Sequence, residues 1–478
     1  MFLRRFFEPK LAQTSYLIGC VATGEALVID PNRDADQYIQ AAAAEGAKIR
    51  HVTETHIHAD FLSGSRELGA RTGATVYLSD EGDANWKYGF AGDSNVKRVK
   101  QGDRITVGNV IVEVLHTPGH TPEHLTFLVT DTAGASEPIG AATGDFVFVG
   151  DVGRPDLLER AANMKGTMAA GAKSLYESLR AFSTRPDWLQ IWPGHGAGSS
   201  CGKGISAIPQ STLGYEKRFN WAFQAKGEQD FVDHVLTGQP EPPKYFAEMK
   251  RINKEGPNVL GGFPKPPRVD DAKLGALVAG GAVVVDTRKA SAYATGFVPG
   301  TINIPLNTSF TTWAGWLVPY TADVYLMVDG RDAAASATAA TAARDLAMIG
   351  LDRVAGYFES TAIDAWQSTA GHALGTVPQI NVSDLAASLK HGAVTLIDVR
   401  NDVEWGAGHI PGARHVTLGY IADRLADIPR DKPIVLQCQA GGRSSIGASL
   451  LRARGFDRVV NLEGGMNAWM SAGLPTET

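Results

Sequence analysis

The sequence predicts an α/β protein of three domains, in which a sandwich of two β-sheets with outer helices precedes two smaller α/β repeats. With 478 residues, the chain is too long for one hydrophobic core and fits about three domains of ~150 residues. In the first half, short apolar strands alternate with helical segments, starting with two strands, a helix and a third strand. In the second half, two segments share the same landmarks at a constant spacing.

Each element of the first domain follows from a local pattern. Alternating or wholly apolar runs predict strands, and an alanine-rich run that stops before Gly46 predicts a helix. The predicted strands cover 1–7, 15–18, 26–30, 49–53 and 75–78, and the predicted helices cover 34–45 and 65–72. The order of these elements favours two packed sheets with helices outside.

A segment rich in glycine and proline, 256–268, is predicted to link the first domain (1–255) to the repeats at 269–374 and 376–478. Each repeat begins with a helix and a buried strand that ends in Asp-X-Arg, and a Pro-Gly turn follows. The Asp-X-Arg motifs begin at Asp286 and Asp398. Alternating helices and strands of this kind predict a mainly parallel sheet in each repeat.

Composition favours small-molecule chemistry in the cytoplasm. The formal net charge is -6, so bulk electrostatics draws the chain neither to nucleic acid nor to an anionic membrane. No apolar run reaches the ~20 residues of a membrane-spanning helix, and no signal peptide is evident. Three scattered cysteines, Cys20, Cys201 and Cys438, do not make a disulfide framework, so we expect a reducing location.

Four motifs in the first domain carry potential metal ligands at the ends of predicted strands. The first is Thr-His-Ile-His-Ala-Asp, and the others are Pro-Gly-His-Thr-Pro, Thr-Gly-Asp and Pro-Gly-His. Histidines and aspartates beside glycine, in this order and after strands, predict a metal site. The residues concerned are His56, His58, Asp60, His120, Asp145 and His195.

Together these motifs resemble the metallo-β-lactamase superfamily over about residues 1–250, which implies an αββα sandwich. Members that hydrolyse esters or lactams commonly hold two zinc ions and have a second histidine after the motif aspartate, where this chain has Phe61. Resemblance to the persulfide dioxygenase branch, which includes the human ethylmalonic encephalopathy protein, instead implies one Fe(II) per chain. In that branch two imidazoles and one carboxylate leave positions open for substrate and O₂. The implied ligands are His56, His120 and Asp145, and the implied supporting groups are His58, Asp60 and His195.

Three further residues are candidates for substrate binding: Arg154, Cys201 and Lys203. Arg154 lies in a turn that resembles the one after the third ligand in this branch. It either meets an anionic substrate or locks the loop through Asp156, and we favour the lock. Cys201 follows His195 closely, and neighbouring glycines and Lys203 could lower the pKa of its thiol. His116, four residues before His120, is expected to be a strand residue.

The last repeat carries a second reactive motif, Cys438 followed by Gln439, Ala440, Gly441, Gly442 and Arg443. It lies between an apolar strand and a helix predicted at 444–452, so backbone N–H groups and Arg443 would stabilise a thiolate or persulfide. The loop resembles the Cys-Arg-X-Gly-X-Arg loop of rhodanese sulfurtransferases, with Gln439 in place of the first arginine. The family resemblance covers about 376–475 and implies that Cys438 and Arg443 are catalytic.

The middle repeat resembles a rhodanese that has lost its nucleophile. No cysteine lies between Cys201 and Cys438, the corresponding loop contains Asp329, and Phe297 stands where the last repeat has His409. A spacer or oligomerisation role is therefore expected for this repeat, and a catalytic Asp329 is not favoured.

The whole chain resembles three-domain bacterial persulfide dioxygenase–sulfurtransferase fusions. This implies that a low-molecular-weight thiol persulfide, of glutathione, coenzyme A or a similar thiol, reacts with O₂ to give sulfite. Cys438 would then transfer sulfur to sulfite and form thiosulfate in sulfide detoxification, in what we expect to be a homo-oligomer. Two alternatives remain: a zinc thioester hydrolase similar to glyoxalase II, fused to a rhodanese, and a sulfur-carrier or interaction protein with an inactive first domain.

Overall fold

The computed structural model describes residues 1–157, 159, 166–369 and 371–478. The chain divides into two compact units. The first comprises Met1–Phe263 with Ala347–Gly350, and the second comprises Pro264–Leu346 with Leu351–Thr478. The first unit thus ends inside the segment that the sequence predicts to be a linker.

Two six-stranded sheets form the first unit. The first sheet follows chain order and is antiparallel between its first three strands and parallel afterwards. Its strands are β1 (Phe2–Glu8), β2 (Gln13–Cys20), β3 (Glu25–Ile29), β4 (Lys48–Thr53), β5 (Thr75–Ser79) and β6 (Val96–Val99). The second sheet has the order β12-β11-β10-β9-β8-β7, and only its β10–β11 pair is parallel. Its strands are β7 (Arg104–Val107), β8 (Val110–His116), β9 (Leu125–Asp131), β10 (Gly140–Gly144), β11 (Gln190–Pro193) and β12 (Ser211–Thr212).

The central strands bury both of their faces, which makes the first unit a sandwich. On β2 and β3, alternate side chains such as Ile18 and Leu27 pack against Val112 and Phe127 of the other sheet. The side chains that point the opposite way, such as Leu17, pack under helix 35–44. Helices cover the outer face of the second sheet in the same way, so the unit has the predicted αββα layering.

The helices and strands predicted for the first unit are present within one or two residues. The predicted helix 34–45 spans Ala35–Ala44, and the predicted helix Ser65–Thr72 has those bounds in the structure. The other α-helices among the described residues of this unit are Thr167–Phe182, Leu213–Phe219, Trp221–Gln224, Glu228–Leu236 and Phe246–Glu255. No helix in the described ranges is long and apolar enough to cross a membrane.

The second unit contains two wholly parallel sheets, one for each repeat. The first has the order β14-β13-β15-β16, with β13 (Val283–Asp286), β14 (Ile302–Asn303), β15 (Val324–Val328) and β16 (Val354–Glu359). The second has the order β17-β21-β20-β18-β19, with β17 (Gln379–Ile380), β18 (Thr395–Asp398), β19 (Arg414–His415), β20 (Ile434–Gln437) and β21 (Val459–Leu462). Both sheets have the parallel pairing expected from alternating helices and strands.

Helices flank both sheets of the second unit. They are Leu274–Ala279, Ala290–Thr295, Phe310–Leu317, Asp332–Ala347, Thr361–Ser368, Val382–Lys390, Asp402–Gly406, Gly442–Ala453 and Gly465–Ser471.

The helix after Cys438 contacts the middle repeat directly, because Asn303 N donates a hydrogen bond to Ser449 Oγ at 2.9 Å. Trp316 of the middle repeat also meets Tyr420 of the last repeat, with 5.3 Å between ring centroids.

Candidate functional site

The four motifs of the first unit meet because each follows a strand of the sandwich. The strands β4, β8, β10 and β11 lead into His56, His120, Asp145 and His195. The first of these strands belongs to one sheet and the other three belong to the second. The site therefore forms where both sheets deliver loops.

One group of donors consists of His56, His120 and Asp145, whose ligand-type atoms all lie within 4.8 Å of one another. Asp145 Oδ2 lies 3.5 Å from His120 Nε2 and 4.0 Å from His56 Nε2. All three side chains are buried, yet neither carboxylate oxygen of Asp145 has a hydrogen-bond partner in the described part of the chain. Because a buried, unsatisfied carboxylate is costly, this donor set fits a cation.

His56 is oriented by a chain of hydrogen bonds that starts at Asp30. The carboxylate of Asp30 accepts from Thr55 N at 2.6 Å and from Thr55 Oγ1 at 2.9 Å. Because Thr55 Oγ1 donates its hydroxyl proton to Asp30, it accepts a hydrogen bond from His56 Nδ1, which lies 2.9 Å away. A proton on Nδ1 leaves Nε2 with a free lone pair, as metal ligation requires. Asp30 adopts a left-handed φ of 51°, which is unusual for aspartate and common at functional sites.

His120 and Asp145 are held in a comparable way by groups outside the donor set. His120 Nδ1 donates to the carbonyl of Arg154 at 2.9 Å, which leaves Nε2 as the acceptor. The backbone N–H of Asp145 donates to His124 Nε2 at 3.1 Å. Gly153 approaches so closely that a Cβ there would lie 1.8 Å from the Asp145 carbonyl oxygen, so only glycine fits.

Burial and neighbouring imidazoles keep the two histidines of the donor set neutral. Burial, together with His58 and His120, holds the pKa of His56 well below its ordinary value. Burial also lowers the pKa of His120, although Asp145 opposes the effect. Unprotonated imidazoles are the form that binds a metal.

The three residues predicted to support the ligands lie beside them, and nearby carboxylates raise the pKa of the two histidines among them. Burial disfavours a charged His58, but Asp30, 3.1 Å from its Nε2, outweighs that effect and raises its pKa to about 9. Burial likewise opposes charge on His195, and Asp145 and Asp60 raise its pKa well above the ordinary value. His195 Nε2 lies 3.1 Å from Asp60 and 3.3 Å from Asp145.

Asp60 and His195 also form a second group of donors with Cys201. With Phe61 in place of a histidine, the sequence predicts that a second metal ion would lack a ligand. The thiol of Cys201 adds a donor to this group. Cys201 is buried, and burial raises the pKa of its thiol to about 12. The expected lowering by Lys203 is therefore wrong, because Lys203 Nζ donates to the carbonyls of His234 and Thr237 instead.

Phe61 occupies the place of the missing histidine as a buried side chain, with its ring centroid 4.3 Å from that of His58. Asn253, from the helix Phe246–Glu255, fixes this loop. Its Nδ2 donates to the carbonyls of His58 and Phe61, each at 2.8 Å, and its Oδ1 accepts from Ser63 N at 2.9 Å.

His116 lies at the end of β8 as predicted, and its Nε2 is 2.8 Å from the Pro122 carbonyl.

Arg154 is tied to the ligand loop by its own hydrogen bonds. Its guanidinium is fully buried, donates twice to Asp156 at 2.7 Å, and donates to the Ser200 carbonyl at 3.1 Å. Of the two roles expected for Arg154, these contacts favour the structural lock.

Replacing Arg154 by methionine should destabilise the first unit by about 3–5 kcal/mol, because it removes one partner of a buried ion pair. Differential scanning calorimetry should show this as a lower Tm for one transition. The exposed Lys226→Ala variant, at a residue of the same unit, is the control and should change stability by less than about 0.5 kcal/mol. A loss of turnover in Arg154→Met without any change in Tm would contradict the structural role.

In the last repeat, Cys438 follows β20 and sits in a loop that directs hydrogen-bond donors at its sulfur. Gly441 N donates to Sγ at 3.1 Å and Ser444 Oγ donates at 3.4 Å. The helix Gly442–Ala453 begins here, so its positive end also favours a negative sulfur. A Cβ on Gly465 would lie 2.1 Å from the Cys438 carbonyl oxygen, so this glycine permits the close packing of the loop.

The two polar side chains of the loop are held by the domain around it. Arg443 makes a bidentate pair with Glu404 at 2.5 and 2.6 Å. Burial opposes charge on Glu404, but the pair with Arg443 holds its pKa below the ordinary value. Gln439 accepts from Arg400 at 3.4 Å and donates to Asn467 at 2.5 Å, while Ala440 is exposed at the loop tip.

In the middle repeat, Asp329 follows β15 as Cys438 follows β20. The next residue, Gly330, has a φ of 96°, the same value as Gly441 in the cysteine loop. The middle repeat therefore has a carboxylate directly after the strand where the last repeat has its thiol.

Comparison with known proteins places both regions in families. A metallo-beta-lactamase superfamily model matches residues 9–195, and a rhodanese-like domain model matches residues 381–472. The crystal structure of a metallo-beta-lactamase from Staphylococcus aureus subsp. aureus COL is 42% identical with a TM-score of 0.66, over 75% of this chain and 99% of that one. The chain belongs to the metallo-beta-lactamase superfamily. It joins the superfamily's αββα fold to a rhodanese-like domain, as the sequence predicts.

Curated relatives of this metallo-beta-lactamase superfamily chain carry two different activities. The mitochondrial persulfide dioxygenase ETHE1 of Mus musculus is 30% identical over 40% of this chain and 67% of its own length. A hydroxyacylglutathione hydrolase of Rhodospirillum rubrum is also 30% identical, over 38% of this chain and 60% of its own length. The chain thus spans only about three fifths of that hydrolase. The family indicates an enzyme. Because both relatives are 30% identical to this chain, sequence identity does not distinguish between their two reactions.

Proposed function

We propose that the first unit is a persulfide dioxygenase with one Fe(II) per chain and that Cys438 transfers sulfane sulfur to sulfite. The observation that carries the dioxygenase proposal is the buried set of His56, His120 and Asp145 beside a phenylalanine. Two neutral imidazoles and one carboxylate leave coordination positions for other molecules, which is the pattern of non-haem iron oxygen chemistry. Bound there, Fe(II) would supply the reactivity toward O₂ that converts the outer sulfur of a persulfide to sulfite.

The protein's own residues prepare the site for that reaction. Asp30 and the Arg154 carbonyl set the tautomers of His56 and His120, so both Nε2 atoms keep their lone pairs. His58 and His195 lie 3.1 Å from the buried carboxylates of Asp30 and Asp60, respectively, and so hold these two groups beside the donor set. Burial of the donor set excludes bulk water, which protects reactive sulfur from side reactions.

The proposed reactions balance in two stages. In the first, RSSH, O₂ and H₂O give RSH and sulfurous acid, so the outer sulfur is oxidised and O₂ is reduced. In the second, the Cys438 thiolate attacks the outer sulfur of another RSSH, the S–S bond breaks, and the thiol RSH leaves. Sulfite then takes the outer sulfur from the Cys438 persulfide, which restores the thiolate and releases thiosulfate. Donors at Gly441 and Ser444 stabilise the negative sulfur in both forms.

Metal content together with O₂ uptake tests the proposal. We expect about one iron per chain, O₂ consumption on addition of glutathione persulfide or coenzyme A persulfide, and sulfite in equal amount when Cys438 is blocked. Removal of the metal by a chelator should stop O₂ uptake, and Fe(II) should restore it. A protein that holds one zinc and consumes no O₂ with either persulfide would overturn the proposal.

The second group of donors favours one rival, a zinc thioester hydrolase. Asp60, His195 and Cys201 could hold a second ion despite Phe61, and a hydroxyacylglutathione hydrolase is among the relatives. This reading requires two zinc ions per chain and hydrolysis of S-lactoylglutathione without O₂. The same metal analysis therefore separates the two candidates.

A further inference from the structure

A cleft of about 800 Å³ opens onto Cys438 and is walled by both repeats of the second unit. The last repeat contributes Cys438 and Arg443, and the middle repeat contributes Lys289, Asn307, Trp313 and Asp329. The middle repeat, which has no thiol, thus forms one side of the cysteine site.

The volume of the cleft exceeds what an inorganic sulfur anion needs. Sulfite and thiosulfate are anions of a few atoms, whereas pockets of about 300–1,000 Å³ typically enclose organic molecules. Trp313 is half-buried in the wall, so it offers an apolar surface to the body of such a molecule. The cleft therefore fits a donor that carries its sulfur on an organic thiol.

One cation that lines the cleft, Lys289, is free to bind an anionic group of a donor. Arg443 is already paired with Glu404. Lys289, just before the helix Ala290–Thr295, is exposed and makes no side-chain hydrogen bond or ion pair with the described residues. Because Glu404 neutralises Arg443, the charged residues of the lining that remain are Lys289 and the acidic Asp329. Lys289 is thus the cation in the wall that remains available to a ligand.

We propose that the middle repeat forms the recognition wall of the Cys438 site, where Lys289 binds the carboxylate or phosphate of an organic thiol persulfide. This rests on the sulfurtransferase part of the proposed function and assigns its donor class. Trp313 packs against the body of the donor while its outer sulfur reaches Cys438. The S–S bond of the donor breaks as the Cys438 persulfide forms, and the released thiol keeps its anionic group at Lys289 until it leaves.

Steady-state kinetics of the full-length protein test this assignment. Without O₂ the iron site is silent, so thiosulfate formed from a persulfide and sulfite reports Cys438 alone, after subtraction of the uncatalysed rate. The donors are glutathione persulfide, with carboxylates, coenzyme A persulfide, with phosphates, and the persulfide of 2-mercaptoethanol, called the uncharged donor because it carries no charge outside the persulfide group. The variants are Lys289→Ala and Lys289→Glu, and Lys273→Glu makes the same charge change at an exposed residue of the same repeat that does not line the cleft.

We expect Lys289→Glu to raise KM for an anionic donor by about tenfold or more, because it places like charges together. Lys289→Ala should give a smaller increase that shrinks at high salt. The kcat at saturation should not change, and neither should KM for the uncharged donor. An effect on glutathione persulfide alone assigns a carboxylate, and an effect on coenzyme A persulfide alone assigns a phosphate.

Two results would overturn the assignment: unchanged KM values for both anionic donors, or an equal increase for the uncharged donor. Failure of the underlying function looks different. In that case mass spectrometry would find no Cys438 persulfide on the wild-type protein with any of the three donors, which would also remove the basis of the donor assignment.

Discussion

Replacement of His120 by alanine is expected to abolish persulfide-dependent O₂ uptake and to lower the iron content of the purified protein. The variant removes one of only two imidazoles in the donor set of His56, His120 and Asp145. The loss should exceed the ~100-fold that follows removal of an outer hydrogen-bond partner of a ligand. An oxygen electrode, iron analysis and sulfite determination measure the three effects.

His116→Ala is the matched control, since this histidine lies in the same stretch of chain but contacts the Pro122 carbonyl. It should keep both iron and O₂ uptake. Sulfite production that survived in His120→Ala would show that the oxidation takes place elsewhere, as in a sulfur carrier with an inactive first domain. Sulfur transfer from a supplied persulfide should persist in His120→Ala, because Cys438 and its loop are unchanged.

Replacement of Cys438 by serine should abolish sulfane sulfur transfer and leave O₂ uptake largely intact. A hydroxyl does not form a persulfide, so the covalent route is lost and transfer should fall by at least about a thousandfold. Thiosulfate formation from persulfide and sulfite measures the transfer, and an oxygen electrode measures the other reaction. In this variant the sulfite made from persulfide should accumulate.

Cys20→Ser serves as the control for loss of a thiol, because Cys20 lies in strand β2 of the first unit. It should keep both activities. Thiosulfate formation at the wild-type rate in Cys438→Ser would contradict the role of the cysteine loop. Loss of O₂ uptake in the same variant would show that the two reactions depend on each other.

Most of the fold could be predicted because the signals are local. Alternation of apolar residues located β2 and β3, and glycine marked the end of the helix Ala35–Ala44. Six candidate metal ligands could be named from motifs that follow predicted strands, whereas the choice of His56, His120 and Asp145 among them came from the family resemblance. Their convergence follows once the strands pair, because strand ends at one edge of the sandwich are neighbours.

What the sequence did not reveal depends on contacts between distant parts of the chain. Asp30, His124 and Asn253 position the site, yet none belongs to a recognised motif. His124 alone had a signal, a histidine four residues after His120 in the same turn region. The sequence predicts a lowered pKa for Cys201, whereas burial raises it. The ammonium of Lys203 does not oppose this effect, because it donates to backbone carbonyls such as that of His234. The cleft at Cys438 needs the packing of two repeats, which no local pattern encodes.

The hydrogen bonds from Asp30 through Thr55 to His56 have a consequence for how the protein matures. In small zinc domains the ion drives folding, because no ordered site exists beforehand. Here the tautomer and direction of a donor are set by a buried carboxylate and by the cores of two sheets. The folded chain therefore orients His56 through its own contacts, so the binding of an ion is not needed to drive folding. Selection among metals then falls to their supply in the cell and to the preference of the donors.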